Sequence, residues 1–371
     1  MKPFFRALEG LIINALKRIA PIGAAVSLTA STLLGGGLEI DAWYPNLLFE
    51  EGNYLEVAWY GIHPSVTGTI NGDQPISNIN PFYDQFNFGL KFDLSDQLVF
   101  SLSSFEPVGY DVQYPVVAPF ITSPTAASVK SRAYAVVAKY QATENFSFYG
   151  GMNYITLSGS AANLPGLPNT GFQFYNDGDT GVIVGAAYSK PEIALRVSFT
   201  YESGTSHSLS TSVGPVGGTL ISGIFPNTTG GTPESYTFDF QTGIATDTLL
   251  YGRFRHVLHS NNDIFLGGTA NLTDFSDEQT YVLGVGRKIN ETVSVAVTGT
   301  YEDGSGTTSD LNPSDGKVTI SGGPKFELTE NMELSVGASY SWAGDNVTTT
   351  GNIPFKENSA VAYGIKLGFR F

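Results

Sequence analysis

The chain has 371 residues and a net charge of −15, with 42% hydrophobic residues, only 14% charged residues and no cysteine. Without cysteine there are no disulfides, no thiolate catalysis and no Cys-ligated zinc, and an acidic chain lacking a basic patch is a poor match for nucleic acid, whose phosphates need clustered cations. No internal run of about 20 apolar residues could span a membrane as a helix, so any crossing must use strands closed into a barrel; a soluble β-protein is the competing class.

In chain order, Lys2, Arg6, Lys17 and Arg18 precede the apolar, small-residue stretch from Ile19 to Leu34, which three glycines follow. That charge-then-apolar order predicts a secretory signal over residues 1–36, cleaved between Ala30 and Gly37. An anchor helix is the competing reading, interrupted by Pro21 and Gly23. Residues 37–52 form a short leader, and 53–371 carry a different rhythm.

From Glu192, "EIALRVSFTYE" sets Ile193, Leu195, Val197, Phe199 and Tyr201 against Ala194, Arg196, Ser198 and Thr200. The same two-residue period runs through "TVSVAVTGTYE" from Thr292, "NMELSVGASYSW" from Asn331 and "VAYGIKLGFRF" from Val361 to the final Phe371. Period two puts alternate side chains on opposite faces of a strand. Between strands, "KFDLSDQLVFSL" from Lys91, "KYQATENFSFYG" from Lys139, "RKINETVSVAVTG" from Arg287 and "KFELTENMELSVG" from Lys325 repeat one layout of cation, short polar turn and fresh alternation. Each predicts a tight hairpin, and "KPE" from Lys190 and "ATD" from Ala245 fit the same role.

Long stretches rich in Gly, Pro, Ser and Thr, at 108–128, 159–176, 204–232 and 304–315, separate the hairpins and predict loops at the opposite end. Short turns at one end and long loops at the other, with ~14 alternating segments, describe an all-β transmembrane antiparallel barrel of the bacterial outer membrane. Tyr or Trp near strand ends (Tyr140, Tyr188, Tyr201, Tyr301, Tyr340, Trp342, Tyr363) suits rings at the lipid headgroups, although strands favour aromatics in any case.

Four stretches together, "LLFEEGNYLEVAWYGIHPSVTG", "AYSKPEIALRVSFTYES", "GIATDTLLYGRFRHV" and the repeated "KF/KY…TEN" turns, resemble the FadL/TodX outer-membrane transporters of hydrophobic compounds over residues 38–371. The resemblance implies a monomeric 14-stranded barrel with an N-terminal hatch, capture of substrate by extracellular loops and lateral release into the bilayer. Its partners would be a long-chain fatty acid or another hydrophobic small molecule, outer-membrane lipid, and the barrel-assembly machinery through the strand ending at Phe371. The leader here is too short for the full hatch, which leaves gating open between a reduced hatch and a barrel stoppered by its own loops.

With the apolar parity toward lipid, Lys91, Lys139, Arg196, Arg253, Arg255, Lys325, Lys366 and Arg370 face the lumen together with Asp93, Asp239, Glu302, Glu327 and Glu333. Arg253 and Arg255, two apart on one strand, could present cations to an anionic head group, with Arg196, Lys366 and Arg370 as further candidates; pairing with lumen carboxylates is the structural alternative. Pro107 and Gly109 interrupt an outgoing strand and occupy the place of the lateral gate that the resemblance implies; the alternative is that the strand simply reaches its loop there. Apolar loop residues, among them Phe120, Ile121, Phe172, Phe174, Ile224 and Phe225, predict a capture groove or the loops' own packing.

Catalysis has little support: of the four histidines, His63, His207, His256 and His259, the last two lie beside a loop without the spaced carboxylate of a metal site or triad, and nothing singles out the Ser and His that a hydrolase in the barrel wall would need. No cofactor is expected. The function expected is passive transport of hydrophobic molecules, long-chain fatty acids first; a general or aromatic-compound porin and a structural or adhesive barrel are the alternatives.

Overall fold

The structure, a computed structural model, describes residues 44–117, 121–273, 275–304, 306, 308, 310–311 and 313–371. The signal, residues 37–43 of the leader and Phe120 therefore lie outside the described residues. Fourteen antiparallel strands close into a barrel. They are β1 (Tyr54–Ser65), β2 (Tyr83–Asp93), β3 in two pieces (Leu98–Phe105 and Gly109–Tyr114), β4 (Thr125–Gln141), β5 (Phe146–Ala162), β6 (Thr170–Lys190) and β7 (Leu195–Glu202). The second half comprises β8 (Glu234–Ala245), β9 (Thr248–Leu258), β10 (Glu278–Lys288), β11 (Val293–Glu302), β12 (Ser314–Thr329), β13 (Met332–Val347) and β14 (Ser359–Arg370). Closure comes from β1 against β14, in register from Tyr54↔Arg370 to Ser65↔Ser359.

The short turns owe their geometry to one device. Ser95 Oγ accepts from the Gln97 and Leu98 amides, Thr143 Oγ1 from Asn145 and Phe146, and Asn290 Oδ1 from Thr292 and Val293. Thr329 Oγ1 does the same for Asn331. A side-chain oxygen that satisfies amides two and three residues on fixes the reversal without a longer loop.

Alternation then sorts the wall. On β14, Val361, Tyr363, Ile365, Leu367 and Phe369 are all about two-fifths exposed, whereas Ala360, Ala362 and Lys366 are buried. The same outward set on other strands includes Phe86, Phe148, Leu283 and Val297, each more than half exposed. A continuous apolar belt of this extent has no place in water, and lipid covers it. Cross-strand pairs Tyr134↔Tyr154 and Tyr281↔Tyr301 mark one rim of the belt. At the other, the Phe371 ring meets Phe92 at 6.1 Å between centroids.

Two expected loops are largely strand. β5 runs to Ala162 and β6 begins at Thr170, and residues 204–232 form paired strands rather than open loop. Gly, Ser and Thr mark those stretches as loops in the sequence, but their inward positions Leu157, Ala161, Phe172 and Phe174 keep period two and are buried. Above the lipid the outward positions are free to be polar, so the ladder continues where the greasy pattern stops. Thr205–Leu209, Thr228–Thr232, Phe265–Leu266 and Ala270–Asn271 make a separate four-stranded extracellular sheet.

Candidate functional site

The third strand is broken where Pro107 removes a donor. Below the break Phe105 pairs with Ala133 of β4, and above it Gly109 pairs with Lys130. Four steps along β3 thus match three along β4. One extra residue has been absorbed, which is why inward positions are odd below the break (Ser101, Ser103, Phe105) and even above it (Tyr110, Val112, Tyr114).

The consequence falls on β2. Its ladder with β3 runs from Asp93↔Val99 up to Phe88↔Ser104 and stops, so Tyr83–Asn87 has no β3 partner among the described residues. Higher up the wall closes again, through Gln113 N to Ile79 O and Asn80 Nδ2 to Asp111 O, both 2.7 Å. A window bounded above and below is left in the barrel side.

Two β4 side chains hold its edges, Ser131 tying the broken part of β3 to β4 and Arg132 reaching across to β2. From inside, Ser131 Oγ accepts from the Val108 amide at 3.1 Å and donates to the Val108 carbonyl. From outside, the Arg132 guanidinium donates to Phe86 O at 2.7 Å and pairs with Glu106 at 2.7 Å. Backbone groups facing lipid must be satisfied, and these contacts replace part of the missing ladder.

Above the window the interior is apolar. Tyr110, Val129, Leu157, Phe174, Leu209 and Ile264 line a cavity of about 40 Å³. On the outer side of β3–β6 a larger recess of about 420 Å³ is bounded by Gln113, Ser128, Ser160, Val216 and Leu220.

Below, the lumen is filled. Leu47 and Leu48 at the end of the leader are fully buried. Lys139 Nζ donates to Leu48 O and Lys91 Nζ to Gly52 O, both at 2.7 Å. Phe49 lies under the Arg196 guanidinium at 4.3 Å and beside Tyr149 at 6.1 Å. Ion pairs between neighbouring strands line this end, Lys366–Glu56 (3.1 Å), Arg370–Glu333 (2.8 Å) and Lys325–Glu333 (2.6 Å), and Arg370–Glu50 (3.4 Å) ties the leader to them.

The candidate cations therefore sit among protein partners. Arg253 pairs with Asp239 at 2.7 Å, Arg255 donates to Thr237 at 2.7 Å, Arg196 covers Phe49, and Lys366 and Arg370 belong to these ion pairs. Among the apolar candidates, Phe172 stacks on Phe174 at 6.4 Å and meets Phe225 at 5.3 Å. Ile121 bridges to Val117, and Ile224 is two-thirds exposed. Pro107 and Gly109 flank the break itself. Arg132, Glu106 and Ser131 escaped the sequence reading, although Arg132 carried a signal: with Lys130 it places a cation on the outward parity of β4, next to Tyr134.

A closed 14-stranded barrel with a lipid-facing apolar belt is an outer-membrane β-barrel. Among solved structures it shares the fold of a Pseudomonas aeruginosa FadL homologue (TM-score 0.72, 12% identity, covering 94% of this chain and 98% of the other). It likewise shares that of the Ralstonia pickettii toluene transporter TbuX (0.64, 14%, 95% and 98%) and the Pseudomonas putida toluene transporter TodX (0.65, 12%, 94% and 98%). No protein-family model and no curated protein matches the sequence.

Proposed function

We propose that this protein is a passive channel for hydrophobic molecules that receives them from outside, holds them in the apolar upper barrel and releases them sideways into the outer membrane through the window in β3. One observation carries the reading: just below the apolar chamber the β2–β3 ladder is interrupted and side chains rather than backbone bonds span the wall, while the leader occupies the lumen further down. The cavity of about 40 Å³ is too small for an alkyl chain, so loading requires the chamber to widen. Nothing in the site calls for a bond-making step, and the direction of flow follows consumption downstream.

Long-chain fatty acids are the proposed substrates. The toluene and monoaromatic-hydrocarbon channels among the structural neighbours support a second reading, an aromatic hydrocarbon, shorter than a fatty acid. Cells displaying the protein should take up oleate faster than cells without it and admit no additional sugar. Sugar entry without oleate entry would identify a general porin instead.

A further inference from the structure

The window has an inner lip as well as an outer one. Gln85 and Asn87 lie on the unpaired stretch of β2 and turn inward on either side of Phe86, whose carbonyl Arg132 holds from outside. Ser103 faces inward from β3 in register with Gly89, one inward position below Asn87. These side chains are 3%, 5% and 1% exposed, and Gln85 Nε2, Asn87 Oδ1 and Ser103 Oγ have no hydrogen-bond partner among the described residues. Buried polar atoms are normally paired, and three orphans at one opening call for an explanation. Whichever way the two amides are turned, each leaves one polar end toward the same lip.

Resting on the proposed role of the window as an exit, we infer that it is a head-group site selective for alkyl carboxylic acids. The carboxyl head engages Gln85, Asn87 and Ser103 on the inner lip, then replaces the Glu106 carboxylate on the Arg132 guanidinium as it passes outward, with the alkyl tail already in the apolar chamber or the lipid. Guanidinium takes a carboxylate through two parallel N–H donors, so an acid can open the Arg132–Glu106 latch while leaving Arg132 paired. A hydrocarbon has nothing to exchange, and its passage separates Arg132 from Glu106 with no carboxylate to take the vacated place. The outer latch and the inner lip thus select the same chemistry from two sides of one opening.

The test compares dodecanoate, 1-dodecanol and dodecane, equal in tail and different in head. Uptake would be measured in cells lacking other outer-membrane channels for hydrophobic compounds and displaying the full chain or a variant. The readout is the ratio of acid to hydrocarbon entry within each variant, which does not depend on how much protein folds. Wild type should favour the acid over both others. Arg132→Gln, and separately the Gln85→Leu/Asn87→Leu pair, should lower the ratio about tenfold, the worth of one charge-assisted hydrogen bond. Glu106→Gln should raise it by freeing Arg132 for the ligand. Ratios unchanged in all variants while wild type still transports would overturn the head-group site and leave the channel standing, with the inner lip merely hydrated. No entry of any compound above background in wild type would overturn the channel, and the inference with it.

Discussion

Lys366 of the last strand and Glu56 of the first, 310 residues apart, form a buried ion pair at 3.1 Å across the seam that closes the barrel. Each is about 4% exposed. Removing one partner strands a charge inside the wall, at a cost of ~3–5 kcal/mol, whereas replacing both with apolar groups is far milder. Lys366→Met should therefore lower the temperature at which the folded band disappears in gel-mobility assays, and Glu56→Leu/Lys366→Met should recover most of the loss. Equal loss in the single and double variants would show that the seam does not depend on this pair.

Phe49 of the leader lies beneath Arg196 and near Lys139, whose Nζ is 4.8 Å from the ring. Cation–ring contacts of this kind contribute about 0.5–2 kcal/mol. Phe49→Ala should loosen the leader and leave two cations lining an axial path. Planar-bilayer recordings should show higher conductance with a preference for anions. Conductance equal to wild type would mean that Phe49 does not close the axis.

His207 offers a pH test in the extracellular sheet. It is buried, with Nε2 2.9 Å from Thr205 Oγ1 and Nδ1 3.6 Å from Asp177. Burial pushes its pKa down, more than Asp177 and Asp179 pull it up. A histidine whose folded pKa is depressed gives stability that is complete above the unfolded value of about 6.5 and is lost as pH falls below it. Amides of residues 205–232, corrected for intrinsic rates, should exchange faster at pH 5 than at pH 7, and His207→Gln should abolish the difference. A pH-dependent difference that survives the substitution would assign it elsewhere.

Much of this architecture is legible in the sequence because lipid imposes period two on the outer wall, and strands such as Val361–Phe371 display it without interruption. The turns are legible for a local reason, since Ser95, Thr143, Asn290 and Thr329 act on amides two or three residues away. The lumen cations are placed correctly by parity alone. Their partners are not, because Lys366–Glu56 depends on barrel closure and Arg253–Asp239 on the register of neighbouring strands. Pro107 and Gly109 reveal that β3 is interrupted, but not that β2 loses its neighbour there. That requires the pairing of three strands at once, and with it the meaning of Arg132, Glu106, Gln85 and Asn87 becomes visible. The extracellular strands were hidden by composition, since Gly, Ser and Thr serve loops and water-facing sheet equally well.

The central claim, exit through the window, is tested most directly by removing the extra residue that opens it. Deleting Pro107 restores one-to-one register between Phe105↔Ala133 and Gly109↔Lys130 and keeps Tyr110 inward, so β3 can continue its ladder past Phe88 along β2. The deletion variant should assemble as a heat-modifiable barrel and still bind dodecanoate in detergent, while uptake by cells falls to the level without the protein. Uptake at the wild-type rate from a barrel with a healed third strand would contradict lateral release.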